Sequence, residues 1–298
     1  YNRNNRKERL YFIVNPIAGM GRSAKAFGRV RELLRQRGAD FDAVYTEYAG
    51  HAIALTRAAL DAGEKRIVAV GGDGTVSEVA SVLCASGVVM GILPFGTGND
   101  LCRTLGLPTE PEAALEVLLA GCVYPLDAGM ANDRFFLNAA GFGFDVDVLR
   151  RAEKFKKRFT GMLPYLLGVI QTLFCLRVLP MTIRIGETVQ QLDGIVLVVG
   201  NGRYFGGGMK PTPHADPFDG KFDVCIAKKM PLYRYIPVLS RFVKGQHLDL
   251  PEMLYFQVDE LTVETPSDEF LDLDGEVCGS VPVTFRLLPG AISLLVRS

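Results

Sequence analysis

The chain has 298 residues, 48% of them hydrophobic and 22% charged, which excludes a disordered or fibrous protein and suffices for two modest domains or one large one. Formal charge is zero but segregated: residues 1–37 hold ten Lys and Arg against two Glu, and residues 249–276 hold ten Asp and Glu with no Lys or Arg. Six cysteines, at 84, 102, 122, 175, 225 and 278, form no C-x-x-C pair, and the histidines at 51, 214 and 247 are scattered, so a zinc site is excluded and reduced thiols of a cytoplasmic protein are expected.

The first apolar run, LYFIV (10–14), is too short for a signal-peptide core before Asn15-Pro16 stops it. It begins an alternation of short apolar runs (LYFIV, FDAVYT, RIVAV, VMGILP) with helical stretches such as AKAFGRVRELLRQRG and EPEAALEVLLAG, extending to about Leu126. That pattern predicts an α/β domain over residues 1–127 with a mostly parallel sheet. Beyond Asp127 the segments RFFLNAAGFG, MTIRIG, QLDGIVLVVGN, KFDVCIA, LTVETP and VTFRLLP are split by Gly, Pro and Asp, and predict a largely antiparallel β-rich domain over 128–286. The tail 287–298 is expected to pack back on the first domain. A helical insertion at about 147–176 interrupts the second domain. Within it, RRAEKFKKR (150–158) leads into eighteen uncharged residues, FTGMLPYLLGVIQTLFCL, but Pro164, two glycines, Gln171 and two threonines favour a buried or amphipathic helix pair over a membrane span.

Three glycine-rich turns follow apolar runs in the first domain: NPIAGMGRSA (15–24), GGDGTVSE (71–78) and PFGTGND (94–100). Each combines glycines with hydroxyl or amide side chains, the composition that lets backbone N–H groups and a helix N-terminus approach a phosphate. Gly19 to Ala24 also fits G-x-G-x-x-A, yet Asn15 and Pro16 hold those glycines away from the strand end, unlike a dinucleotide-binding turn. A Walker A motif is absent. Asp73 and Asp100 sit among the glycines of the second and third turns, where a carboxylate would repel phosphates unless a cation lay between, so Mg²⁺ with its waters is expected there.

The motifs N-P-x-x-G, G-G-D-G-T and G-T-G-N-D, in this order, resemble the diacylglycerol kinase catalytic-domain family, particularly its soluble bacterial lipid kinases. G-G-D-G-T alone is shared with NAD kinases and phosphofructokinases; G-T-G-N-D narrows the resemblance. It extends over the second domain through ADPFDGKFDV (215–224) and DLDGEVCG (272–279). The resemblance implies an ATP site lined by Asn15, Pro16, Ile17, Ala18, Gly19, Thr46, Gly71, Gly72, Asp73, Gly74, Thr75, Glu78, Gly96, Thr97, Gly98 and Asn99. It implies catalytic roles for Asp73, Asp100 and Glu276, with Glu276 taking the proton of the lipid hydroxyl, and a structural Mg²⁺ on Asp216, Asp219 and the backbone carbonyl of Lys221. Two carboxylates three residues apart before a glycine turn suit a hard, oxygen-liking cation in any case. The first motif departs from the family in having Ala18, where Ser or Thr often precedes the glycine, so a hydroxyl contact to phosphate is replaced by backbone N–H groups.

The reaction implied is transfer of the γ-phosphate of ATP to diacylglycerol, with nucleotide between the two domains and a peripheral contact to an anionic membrane through residues 1–37 and 150–158. The alternatives are another lipid acceptor (a sphingoid base or phosphatidylglycerol), NAD, or a nucleotide-binding regulator without turnover. A homodimer is compatible with the sequence, and nucleic acid is not an expected partner.

Overall fold

The computed structural model describes residues 9–156 and 163–297. The chain divides into two units, one running to Asp127 and taking in the chain from Pro289, the other Ala128–Leu288.

The first unit alternates strand and helix: β1 (Leu10–Val14), α1 (Arg22–Gln36), β2 (Phe41–Tyr45), α2 (His51–Asp61), β3 (Arg66–Gly71), α3 (Asp73–Leu83), β4 (Val89–Pro94), the short α4 (Asp100–Thr104), α5 (Pro111–Ala120) and the start of β5 (Cys122–Ala131). β1, β2, β3 and β4 pair in parallel in the order β2-β1-β3-β4. Ile67, Val68, Ala69 and Val70 of β3 are all fully buried, because a central parallel strand is covered on both faces and so reads as a continuous apolar run. Phe12, Phe27, Val30, Leu34, Leu93 and Leu115 pack in one core with Leu295, which belongs to the returning chain. That return is held by the Gly290 N–H donating to Asp127 Oδ1 (2.7 Å) and by parallel pairing of Ser293 and Leu294 with β4.

The second unit contains β6 (Arg134–Phe136), β7 (Ala139–Gly143), α6 (Phe144–Lys156), α7 (Leu163–Phe174), β8 (Leu179–Ile185), β9 (Thr188–Gly200), β10 (Phe222–Lys228), α8 (Leu232–Lys244), β11 (Met253–Val258), β12 (Glu260–Glu264), β13 (Phe270–Leu273), β14 (Glu276–Ser280) and the first part of β15 (Val283–Val296). Its pairings are antiparallel, in the order β14-β13-β7-β9-β8-β12-β15, with β10 and β11 added along β9. Alternate residues of these strands, among them Phe142, Leu197, Val199, Val224, Ile226, Val263 and Phe285, form its main core.

The expected helical insertion is α6 and α7. Gly168 lets the two backbones approach: a Cβ there would lie 2.8 Å from the carbonyl oxygen of Val148. Pro164 is the second residue of α7, where the missing N–H costs no helical hydrogen bond. Among the described residues no helix is long and apolar enough to cross a membrane. Residues 157 and 158 of the basic run, and 1–8 of the basic amino-terminal stretch, lie outside the described residues.

Candidate active site

All three glycine turns of the first unit leave the carboxyl ends of adjacent parallel strands: Asn15 follows β1, Gly72 follows β3 and Phe95 follows β4. Sites of open α/β sheets form at such strand ends, because the helices that follow aim their N–H groups there. The turns press together more closely than side chains allow. A Cβ on Gly96 would fall 2.2 Å from the Cα of Gly72, and one on Gly19, whose φ of +60° already disfavours other residues, would fall 2.4 Å from the Phe95 carbonyl oxygen. Arg22 spans the same junction, donating through Nε to the Gly19 carbonyl (3.0 Å) and through Nη2 to that of Gly96 (3.3 Å).

These turns enclose a cavity of about 300 Å³ lined by Asn15, Ile17, Ala18, Gly19, Thr46, Gly72, Asp73, Gly74, Thr75, Glu78, Gly96 and Thr97, together with Glu47, Tyr48 and Ala49. Twelve of the sixteen residues expected in the nucleotide site are thus brought to one place. Pro16, Gly71, Gly98 and Asn99 are not in the lining. Asn99 is turned inward as a staple: its Nδ2 donates to the carbonyls of Pro94 (3.0 Å) and Gly96 (3.2 Å), and its Oδ1 accepts the Gly96 N–H. Asn15 Nδ2 donates to Thr75 Oγ1 (3.0 Å), joining the first turn to the second. The Glu78 carboxylate accepts the N–H groups of Gly50 and Ala52, capping α2 from its neighbour α3 and fixing the segment that supplies Thr46 to Ala49.

Asp73 bridges the second and third turns. Its Oδ2 accepts the Asn99 N–H and its Oδ1 the Asp100 N–H, both at 2.7 Å. A carboxylate offers about four acceptor sites, so this clamp does not exhaust it. A Cβ on Gly98 would lie 2.6 Å from Oδ2 of Asp73 and 3.8 Å from Oδ2 of Asp100, so both carboxylates face the bare edge of one glycine. Their joint field is felt by the buried Cys102 thiol, pushed up by burial first and then by the charges of Asp73 and Asp100. The donor set, two carboxylates beside a glycine-rich cavity, fits a Mg²⁺ ion that keeps most of its waters. Among the described residues no group of three or more His, Cys, Asp or Glu converges as a direct metal site.

In the second unit, Glu276 is the first residue of β14 and is exposed at the mouth of the β13–β14 hairpin. The turn beneath it is pinned from both sides. Asp274, at φ 53°, accepts the N–H groups of Leu137 (2.7 Å), Asn138 (2.8 Å) and Ala139 (3.1 Å), and Asp272 Oδ1 accepts the Gly275 N–H (2.8 Å). Asp272 is wholly buried and pairs in register with Gly141, whose missing Cβ would meet Asp145 Oδ2 at 2.7 Å. Oδ2 of each of these two aspartates is buried without a hydrogen-bond partner among the described residues. Burial raises Asp145 to about 7 and, with the Asp145 charge next in size, lifts Asp272 well above the usual carboxylate range.

The 216–221 loop precedes β10. Asp216 Oδ1 accepts the Phe218 N–H, Asp219 Oδ1 accepts the Lys221 N–H, and Gln257 Nε2 donates to both Asp219 Oδ2 and Asp223 Oδ2. Burial, then the charges of Asp223 and Asp216, raise the Asp219 carboxyl. This is an oxygen-rich, negatively charged loop whose chemistry fits a hard cation.

The sequence reading missed Glu47, Tyr48, Ala49 and Arg22 around the cavity and the Asp145–Asp272 couple under the hairpin. Tyr48 and His51, stacked at 4.5 Å and 5°, carried a local signal, being aromatics three residues apart at a helix start. The couple had none, since it exists only through strand register.

Comparison with known proteins agrees with this geometry. Residues 9–131 match the model of the diacylglycerol kinase catalytic domain, and residues 138–296 match that of the YegS C-terminal NAD kinase beta sandwich-like domain. A diacylglycerol kinase of Mycobacterium tuberculosis is 30% identical over 95% of this chain and 93% of its own length. A diacylglycerol kinase of Bacillus subtilis is 30% identical over 93% of each, and a probable lipid kinase YegS-like of Pseudomonas putida is 34% identical over 88% and 87%. The crystal structure of a putative diacylglycerol kinase from Bacillus anthracis shares the fold, with a TM-score of 0.80 at 23% identity over 98% of this chain and 97% of that one. With glycine-rich turns gathered at the strand ends, a pinned D-G-E hairpin, and relatives matching along nearly its whole length, this chain belongs to the diacylglycerol kinase family of lipid kinases.

Proposed function

We propose that this kinase transfers the γ-phosphoryl group of ATP to the free hydroxyl of diacylglycerol, giving phosphatidic acid and ADP. The observation that carries the reading is the convergence of three glycine turns and Asp73 on one cavity at the ends of β1, β3 and β4, with Asp100 held beside Asp73 by its N–H. The names of the mycobacterial and bacillary relatives support diacylglycerol as the acceptor.

The backbone N–H groups of the glycine turns and the Thr97 side chain would bind the phosphates of ATP. Asp73 and Asp100 would hold Mg²⁺ through its waters; when bound, that ion neutralises the charge on the phosphates. Glu276 would accept the proton of the acceptor hydroxyl as its oxygen bonds to the γ-phosphorus and the bond to the β-phosphate oxygen breaks. Asp272 and Asp274, by fixing the turn, would hold Glu276 in place. Asp216, Asp219 and the Lys221 carbonyl would hold a second, structural Mg²⁺. The P. putida relative, whose name leaves the lipid open, favours a second reading in which the same machinery serves another lipid hydroxyl.

Transfer of label from γ-labelled ATP with Mg²⁺ to diacylglycerol, sphingosine, phosphatidylglycerol and NAD, compared in parallel, tests this. Labelled phosphatidic acid, lost in Asp73→Ala and Glu276→Ala, is the expected result. Label on a different lipid retains the mechanism and replaces the acceptor, and nucleotide binding without any transfer overturns both.

A further inference from the structure

In the described part of the basic amino-terminal stretch, residues 9–37, five of the seven cations are engaged within their own unit. Arg9 pairs with Asp42 and Glu64, Arg29 with Glu32 and Glu112, Arg37 with Glu116, Arg31 donates to the Tyr45 hydroxyl, and Arg22 is held by the glycine turns. The helix α8 differs. Its inner face, Tyr235, Val238 and Phe242, packs into a core cluster with Met230, Cys225 and Met253. A helix whose inner face is already satisfied normally turns polar residues outward. Instead the outward positions of α8 are Tyr233, Ile236, Pro237, Ser240, Val243 and Lys244, with Tyr233 78% and Ile236 73% exposed.

Scattered apolar residues on a surface need no explanation. Here they recur at 233, 236–237 and 243, one stripe of one helix, with exposed lysines at both of its ends. Residues 228–246 hold five Lys and Arg and no Asp or Glu. Arg234 and Arg241 flank the stripe, held by Glu252 and Asp249, while Lys229 and Lys244 are exposed at its two ends. An apolar stripe bounded by cations, with an aromatic ring whose hydroxyl can stay wet, matches the chemistry of the boundary between acyl chains and anionic headgroups. A protein partner could also cover the apolar stripe, but the lysines at its two ends, paired with no carboxylate among the described residues, are complemented by an anionic headgroup layer.

We propose that the outward face of α8 is the surface by which this chain seats on an anionic lipid bilayer. The proposal rests on the lipid-acceptor reading, since an enzyme whose acceptor resides in a membrane must reach it there.

The full chain is sedimented with vesicles of phosphatidylglycerol in phosphatidylcholine, and of phosphatidylcholine alone, over a salt series. The expected result is binding to the anionic vesicles that weakens with salt, and a loss of about tenfold or more in Tyr233→Ser/Ile236→Ser, with its melting temperature unchanged. Lys229→Ala/Lys244→Ala should lose binding chiefly at low salt. A serine variant that binds as the native chain does, or a native chain that binds neither vesicle, overturns the proposal. So does a native dimer in solution that the serine variant abolishes, which assigns the face to a second copy of the chain. Transfer to a dissolved short-chain diacylglycerol separates the two readings. A serine variant that keeps this transfer but loses transfer to vesicle-borne acceptor supports docking. Vesicle binding by the native chain with no transfer to any acceptor overturns the acceptor reading and leaves the docking face standing.

Discussion

Gly98 presents the most local test of the catalytic geometry. Its Cα edge faces both Asp73 and Asp100, and any Cβ would stand 2.6 Å from the Asp73 carboxylate that clamps the third turn. Gly98→Ala is expected to lower transfer at least tenfold while costing about 1–3 kcal/mol of stability, measured as kcat and as the denaturant midpoint. Asp145 offers a second test, in pH. Its folded pKa of about 7 exceeds the ordinary carboxylate value of 3.8, so between those pH values the folded state holds a proton that the unfolded state has released. The stabilising contribution is therefore complete below pH 4 and lost as pH rises to about 7. Asp145→Asn removes that titration, and its melting temperature should gain on the native chain's as pH rises through this window; parallel curves for the two would refute the raised Asp145 carboxyl. Asp73 and Glu276 were legible in the sequence because they lie in short motifs, whereas Asp145 and Asp272 are 127 positions apart and are joined only by the pairing of β13 with β7.

Among the elements, α2 depends on α3 for its start. Its N-cap is Gly50, which has no side chain to cap with, and the Glu78 carboxylate takes the Gly50 and Ala52 N–H groups instead. Glu78→Ala should destabilise the unit by about 1 kcal/mol and raise KM for ATP several-fold, because the segment from Thr46 to Ala49 enters α2 here and lines the cavity. An unchanged KM with lowered stability would confine Glu78 to the fold. The α6–α7 pair depends on one close approach: Gly168→Val sets a branched side chain against the Val148 carbonyl, and a loss of about 1–3 kcal/mol is expected, read by thermal unfolding. The alternation of apolar runs and helices was readable as an α/β layer because buried parallel strands are continuously apolar, and the eighteen uncharged residues of 159–176 did not mislead because Pro164 and Gly168 mark a helix start and a packing point.

Across the whole molecule, each unit has its own core, and the cavity among the glycine turns is lined, among the described residues, by those of the first. ATP with Mg²⁺ at about a hundred times its Kd should stabilise that unit by about 2.7 kcal/mol, seen as slowed hydrogen exchange in β1, β3 and β4. Protection that bypasses these strands would place the nucleotide elsewhere. The sequence by itself determined the two kinds of layer and which residues form the glycine-rich turns at the strand ends, because periodicity and glycine placement are local properties of the chain. Only the tertiary structure decided that Asn99 is a staple, that Asp73 clamps the turn carrying Asp100, that Asp145 and Asp272 each bury a carboxylate oxygen, and that α8 shows an apolar face outward. These follow from which strand lies beside which and which helix face finds a partner, and no short window of sequence contains both members of such a pair.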